Sequence, residues 1–247
     1  MNRNITGNFG PILLVAGLWL ASSAPAIAGG AFAVDDAEIA APGDCRVESW
    51  ASFAKNSDFM AAVAPTCGVK LGVPIEVGAQ FLRGRSDGVW SSNGTLRAKT
   101  NLVPLSGNAF GVGLAGGNTW NLGNGASTGS FLYVPLTFQL REEVKLNVNG
   151  GWQHDAVSKI HYLTWGTSLE WNFVKPLTLI GEIYGQSGKL PESDPDAAPT
   201  PNSIREPRVQ VGLRYTPQDR IDIDVIWGRN ITGENSHWLT FGVNLRF

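Results

Sequence analysis

Apolar and polar residues alternate along successive segments of this chain, and no other feature restricts its fold as strongly. In the C-terminal segment the alternate apolar positions are Leu239, Phe241, Val243, Leu245 and Phe247. Polar residues and glycine lie between them, and segments 130–141, 144–154 and 161–174 repeat the pattern. Because side chains on a strand point alternately to opposite faces, each segment is predicted to be a β-strand with one apolar and one polar face.

Turn-forming residues separate twelve such segments after residue 44. The predicted strands are approximately 45–55, 58–68, 74–84, 90–103, 109–119, 130–141, 144–154, 161–174, 177–187, 206–217, 220–230 and 236–247. They are about 11 residues long, enough to cross a bilayer when tilted, whereas strands of soluble proteins usually have about 5–6.

The connections between these segments alternate in length, which a soluble β-sandwich does not require. The short ones are Lys70–Pro74, Leu105–Asn108, Arg141–Val144, Val174–Pro176 and Pro217–Arg220. The longer ones are Arg83–Trp90, Asn118–Ser130, His154–His161, Gln186–Glu206 and Arg229–His237, and Lys55–Asp58 is the exception. Short periplasmic turns and longer outer loops are typical of transmembrane barrels. We predict an all-β fold, an antiparallel transmembrane β-barrel of about twelve strands in meander order.

Composition supports this class. Only 16% of the residues are charged, and the mean hydropathy is close to zero, as expected for strands that alternate between lipid and water. After the first 28 residues no apolar run reaches the length of about 20 that a membrane helix needs. The formal net charge of −2 argues against a nucleic-acid partner, which a basic excess would favour.

The N-terminal region is predicted to contain an export signal and a short leader. Residues 1–28 combine Arg3, an apolar core over Pro11–Leu20 and the small-residue site Ala26-Ile27-Ala28, and we predict that they are cleaved. Ala31-Phe32-Ala33 is a second candidate cleavage site, and an uncleaved membrane anchor is the alternative. Residues 29–44 are predicted to be a flexible periplasmic leader, and residues 45–247 the barrel.

The two cysteines are predicted to form a disulfide. If the first hairpin turns at Asn56–Ser57, Cys45 and Cys67 face each other across neighbouring strands, and an exported protein can keep the bond. Two cysteines without a histidine partner make a zinc site improbable, and we predict no metal and no cofactor.

From Cys45 to Phe247 the chain resembles proteobacterial outer-membrane β-barrels, in particular the twelve-stranded porin-like and channel families. The export signal, the alternating strands and the closing segment His237–Phe247 carry the resemblance. It implies a bacterial outer-membrane location, lipid and lipopolysaccharide as surroundings, and Phe247 as a signal for the barrel-assembly machinery. It identifies neither a subfamily nor a solute.

The polar strand faces place ionisable residues in the predicted lumen. The basic ones are Arg46, Arg97, Lys99, Lys145, Arg214 and Arg246, and the acidic ones are Glu48, Glu76, Glu170, Glu182, Asp222 and Asp224. All except Lys145 are candidates for a constriction. They indicate either a selective water-filled channel or charges that pair across a closed barrel. The pairs Arg97/Lys99 and Asp222/Asp224 either shape the constriction or neutralise each other.

These patterns favour a porin-like channel for passive diffusion of small hydrophilic solutes. The alternatives are a closed structural or adhesion barrel acting through its outer loops, and an outer-membrane hydrolase using His154, His161 or His237 at the rim, with Ser158 and Ser236 nearby. We predict that the protein is not an enzyme. Most tryptophans are predicted to form interfacial girdles, whereas Trp50 and Trp238 on the polar face are candidates for a sugar-stacking track. The loop Gln186–Glu206 is a candidate gate or divalent-cation site, or a solvated surface loop.

Overall fold

The computed structural model describes residues 31–55, 57–86, 88–106, 109–187, 205–231 and 237–247. The predicted export signal and most of the loop Gln186–Glu206 lie outside the described residues. Within them the chain forms twelve strands: β1 Cys45–Ala54, β2 Phe59–Leu71, β3 Val73–Ser86, β4 Val89–Val103, β5 Phe110–Asn121, β6 Ser127–Arg141, β7 Val144–Asp155, β8 Ile160–Val174, β9 Leu177–Ser187, β10 Arg205–Gln218, β11 Ile221–Asn230 and β12 His237–Arg246.

Every strand pairs antiparallel with its neighbours in sequence, and β1 pairs with β12, so the sheet closes into a barrel. The predicted twelve-stranded meander is therefore confirmed. Both ends of the strand series meet on one side: the Cys45 amide donates to the Phe247 carbonyl, and the Phe247 amide donates to the Cys45 carbonyl. We call this side the turn end, since the connection at Gly72 and the two-residue turns 142–143, 175–176 and 219–220 lie there.

At the opposite side, the loop end, strands β3 to β8 extend further than predicted. The connection predicted over Arg83–Trp90 shortens to residues 87–88, because β3 and β4 pair as far as Ser86 and Val89. The strands β7 and β8 similarly pair up to Asp155 and Ile160.

The outer face is apolar on every strand. Along β12 the outward residues Leu239, Phe241, Val243 and Leu245 are 38–48% exposed, whereas Thr240 and Asn244 between them are buried inside the barrel. A soluble monomer rarely exposes so continuous an apolar surface. No helix in the described part of the chain is long and apolar enough to cross a membrane.

The predicted disulfide is present. Cys45 and Cys67 are direct register partners in the β1–β2 hairpin and are covalently bonded. The bond lies at the turn end, beside the point where the chain preceding β1 enters the barrel.

Candidate functional site

Residues 31–44, which we call the luminal segment, lie inside the barrel against its wall. This differs from the predicted flexible periplasmic leader. The segment enters beside β2, where the Gly43 amide donates to the Gly68 carbonyl (3.0 Å) and the Gly68 amide donates to the Asp44 carbonyl (2.9 Å). An unpaired backbone is costly to bury, and the barrel wall supplies the missing partners.

The partners of the luminal segment follow the strand order around the wall. The Ala40 amide donates to Glu76 on β3 (2.8 Å) and the Ala37 amide to Thr137 on β6 (2.8 Å). The Asp35 amide donates to the side-chain oxygen of Asn149 on β7, whose amide nitrogen donates back to the Asp35 carbonyl (2.7 and 2.8 Å). The segment therefore follows much of the inner circumference.

Further along, Glu182 on β9 holds two consecutive backbone amides. Its carboxylate accepts hydrogen bonds from Ala33 (2.9 Å) and Val34 (3.0 Å), while Gln210 of β10 donates to the same carboxylate. Phe32 then packs against Ile180 and Ile226. These contacts give the segment one defined path instead of a loose tether.

A buried ion pair fixes the middle of the segment. The Asp35 carboxylate lies 3.0 Å from Lys99 Nζ through Oδ1 and accepts a hydrogen bond from the Tyr133 hydroxyl through Oδ2 (2.7 Å). Burial acts to raise the pKa of Asp35, but Lys99, Arg97 and the Tyr133 hydrogen bond together lower the pKa below its ordinary value of 3.8. Asp35 is therefore held as a carboxylate at neutral pH.

Inward-facing glycines make room for the segment. A Cβ atom on Gly68 would lie 2.2 Å from the Ala41 carbonyl oxygen, and one on Gly166 would lie 2.8 Å from Val34 Cγ2. A Cβ atom on Gly212 would lie 2.8 Å from the Phe32 ring, and one on Gly111 would lie 3.3 Å from Ala37 Cβ. Larger residues at these positions would displace the segment.

The ionisable wall residues form two paired groups. In one, Arg46 binds Glu76 (2.9 Å), and Arg97 lies 3.8 Å from Glu48. In the other, Arg214 makes a bidentate pair with Asp224 (2.8 and 3.1 Å), and Arg246 pairs with Asp222. The predicted pairs Arg97/Lys99 and Asp222/Asp224 are thus each neutralised by other partners.

A cavity of about 110 Å³, which we call the charged chamber, lies between the luminal segment and strands β1 and β8–β12. It is lined by Phe32, Val34, Asp35, Asp36, Arg46, Glu48, Glu170, Ile180, Glu182, Arg214, Asp222, Asn244 and Arg246. The side chain of Arg246 is 44% exposed, so the chamber lies next to the turn-end opening.

The sequence matches the family described as "Uncharacterised conserved protein UCP029691" over residues 16–247. The chain belongs to this family. No curated protein sequence gives a significant match.

Solved structures share the UCP029691 barrel fold at low sequence identity. The COG4313 outer membrane channel from Pseudomonas putida F1 aligns with a TM-score of 0.63 and 11% identity, covering 86% of this chain and 98% of the channel. The KdgM porin in complex with disordered oligogalacturonate aligns with a TM-score of 0.60 and 12% identity, covering 82% and 99%. The NanC porin aligns with a TM-score of 0.59 and 10% identity, covering 81% of this chain and 98% of the porin. At such identities the likeness concerns the fold.

In this UCP029691 chain all eleven predicted constriction residues lie on the inner face. Their contacts with other luminal groups or with the segment show this orientation. Glu170 accepts a hydrogen bond from Asn147 (2.6 Å), which joins it to the Thr137 that holds Ala37. The two tryptophans of the polar face have different neighbours: Trp50 packs on Ala62 and Ala64 of β2, whereas Trp238 lies over Gly228 of β11.

The rim histidines face outward. His154 and His161 are register partners whose rings stack at 4.7 Å, and both stack on Trp152, which is exposed on the outer face. His237 stacks on Trp227 in the same manner. Among the described residues Ser158 Oγ has no hydrogen-bond partner, and no group of three His, Cys, Asp or Glu side chains could hold a metal ion.

Proposed function

We propose that this protein is an outer-membrane channel for passive diffusion of small hydrophilic solutes, with the luminal segment narrowing the passage. The observation that carries the proposal is a charged chamber inside a barrel whose outer face is apolar. An apolar exterior suits lipid, and a polar interior suits water and dissolved solutes.

The structural neighbours support the same proposal. The KdgM and NanC proteins are porins, and the COG4313 protein is an outer membrane channel. We extend to this chain their outer-membrane setting, contact with lipid and lipopolysaccharide, and Phe247 as an assembly signal. The Cys45–Cys67 disulfide agrees with an oxidising compartment.

A closed structural or adhesion barrel is the second candidate, and a specific observation favours it. Thr137, Asn147 and Asp224 have no exposed surface, so the luminal segment and the wall side chains fill the lumen at their level. We infer that the protein is not an enzyme, because the outward His154–His161 stack is not hydrogen-bonded to Ser158 in a nucleophile–base pair.

Conductance in planar bilayers distinguishes the two candidates. We expect a small current from the full-length protein and a larger current from a variant lacking residues 31–40, which keeps Cys45 and the β2 contact at Gly43. Heat-modifiable electrophoretic mobility verifies that each barrel has folded. A second variant, Phe32→Ala with Val34→Ala, keeps the chain length but loses the side-chain anchors on Ile226 and Gly166. Absence of current from all three folded proteins would exclude the channel and leave the closed barrel.

A further inference from the structure

We infer that the charged chamber binds small organic ammonium ions and makes the channel prefer cations over anions. This inference rests on the proposed channel function but concerns what the site selects. Three observations carry it: the charge that the luminal segment adds, unpartnered acceptor oxygens that line the chamber, and the engagement of its guanidinium groups.

The luminal segment changes the charge balance of the lumen. The twelve ionisable wall residues named from the sequence comprise six cationic and six acidic side chains. The segment adds Asp35, Asp36 and Glu38 without adding a cationic residue between Ala31 and Asp44. The docked segment therefore shifts the charge of the lumen toward carboxylates.

Two residues that line the chamber each carry a buried acceptor oxygen without a hydrogen-bond partner among the described residues. These oxygens are Glu48 Oε2 and Asn244 Oδ1, on residues that are 8% and 6% exposed and are direct register partners on β1 and β12. Arg97 Nη2 lies 3.8 Å from Glu48 Oε2, beyond hydrogen-bond length. A buried carboxylate oxygen without a donor is unfavourable, and a bound cation that donates hydrogen bonds would remove that cost.

Each cationic side chain around the chamber is engaged by a carboxylate. Arg214 uses Nε and Nη2 on Asp224, Arg246 uses Nη2 on Asp222, and Arg46 uses Nη2 on Glu76. Arg46 Nε, which lies 3.7 Å from Glu48 Oε1, is a donor without a hydrogen-bond partner among the described residues. Apart from that donor, an anion would have to compete with these carboxylates. A cation instead meets hydrogen-bond acceptors. One is the Glu170 carboxylate, which accepts from Asn147 and forms no ion pair with a described side chain.

The arrangement favours an organic ammonium over a bare metal ion. No three carboxylate or histidine groups of the described chain converge closely enough to coordinate a metal, whereas an ammonium group is satisfied by separate hydrogen-bond acceptors. The chamber volume of about 110 Å³ corresponds to a few water molecules at ~30 Å³ each. This is room for a short alkylammonium, and the Phe32 ring supplies an apolar wall.

The first test is the reversal potential of the full-length protein in a tenfold KCl gradient, repeated with methylammonium chloride. With both salts we expect a reversal potential whose sign shows preference for cations over anions. Because removing one charge a few ångströms from the permeation path in water changes partition by about threefold, Glu48→Gln should lower the cation-to-anion ratio by about that factor. Glu142→Gln is the control, since it removes an exposed charge in the β6–β7 turn. A neutral or anion-preferring wild type, or equal values for Glu48→Gln and the control, would overturn the inference.

The second test does not depend on conduction. Saturation-transfer NMR of methylammonium with detergent-solubilised full-length protein should show binding that Glu48→Gln weakens and Glu142→Gln preserves. Binding lost in Glu48→Gln but without any current would support the site and reject the channel. Currents without Glu48-dependent binding or selectivity would support the channel and reject the site.

Discussion

At the scale of single residues, Gly68 controls whether the luminal segment can dock. A Cβ atom there would lie 2.2 Å from the Ala41 carbonyl oxygen and 2.4 Å from the Ala40 carbonyl oxygen. Both contacts involve backbone, and Gly68 itself is fixed in the β2–β3 ladder by pairing with Glu76, so the segment has to move. We predict that Gly68→Ala raises the single-channel conductance toward that of the variant lacking residues 31–40.

The same substitution should destabilise the protein by about 1–3 kcal/mol, as overpacking does. Gly181→Ala on β9 is the matched control, because no atom lies within 4 Å of a Cβ built there. Equal conductance for Gly68→Ala, Gly181→Ala and the wild type would show that the segment stays docked despite the added methyl group, contrary to the prediction.

Asp35 makes docking dependent on pH. Its pKa in the docked state is below the ordinary value of 3.8, so docking gains stability above pH 3.8 and loses it as the pH falls through the lowered pKa. We predict that the conductance rises on acidification below about pH 4. Asp35→Asn should raise the conductance already at pH 7, because Lys99 then loses its buried partner.

Asp44→Asn is the control for this pH dependence, since Asp44 is exposed at the turn end. Current recordings between pH 7 and pH 3 measure the effect. An acid-induced rise of the same size in Asp35→Asn as in the wild type would assign the pH dependence to other carboxylates.

At the scale of elements, the luminal segment is predicted to act as a movable constriction, and a cross-link can immobilise it. Ala37 Cβ lies 3.3 Å from a Cβ built on Gly111, close to the spacing of about 3.5–4.5 Å in disulfides. We predict that Ala37→Cys with Gly111→Cys forms a bond that holds the conductance low even below pH 4. Reductant should restore the acid response.

Two controls accompany the cross-link. Gly111→Cys alone cannot tether the segment, and wild type treated with reductant reports the effect of opening Cys45–Cys67. An acid response that persists in the oxidised double variant would mean that the current does not depend on movement of the segment.

The strands can be predicted from the sequence, whereas the path of the luminal segment cannot. Each strand can be predicted from local sequence, because alternation such as that of Leu239 to Leu245 involves only neighbouring residues. The Cys45–Cys67 pairing likewise follows from the position of one hairpin turn. The luminal segment has no such period. Several of its contacts join residues more than 100 apart, as between Asp35 and Asn149, and many use backbone amides, which carry no sequence signal.

Some residues nevertheless pointed to the segment. Gly166 and Gly242 leave positions without side chains on the polar strand faces, and both lie against the segment, at Val34 and Ala31. Asp35 and Asp36 pair with Lys99 of the wall, and Glu38 pairs with Lys145. Glu76 and Glu182 were identified as luminal, but their role in accepting the amides of Ala40, Ala33 and Val34 could not be inferred without the path of the chain.

At the scale of the whole molecule, the two faces of the barrel wall differ in their surroundings. Many polar groups of the inner face bind the luminal segment, whereas the outer face is apolar and unfavourable to expose to water. The Cys45–Cys67 bond joins the segment to the wall, because it fixes the hairpin next to Gly68, where the segment enters. The fold therefore holds the segment at its turn-end base while the remainder of it depends on reversible hydrogen bonds and ion pairs. We therefore expect the segment to undock without unfolding of the barrel.

The apolar outer face predicts a dependence on membrane depth that a soluble barrel would not show. Val225 lies in the middle of β11 and is 44% exposed, whereas Val73 begins β3 at the turn end and is 56% exposed. Placing arginine on the lipid face costs roughly 2–4 kcal/mol at the midplane and about 0–1 kcal/mol near the interface. We therefore predict that Val225→Arg lowers the free energy of unfolding in lipid vesicles by several times more than Val73→Arg. Denaturant titration monitored by tryptophan fluorescence measures both, and equal small effects would mean that the exposed valines do not face lipid.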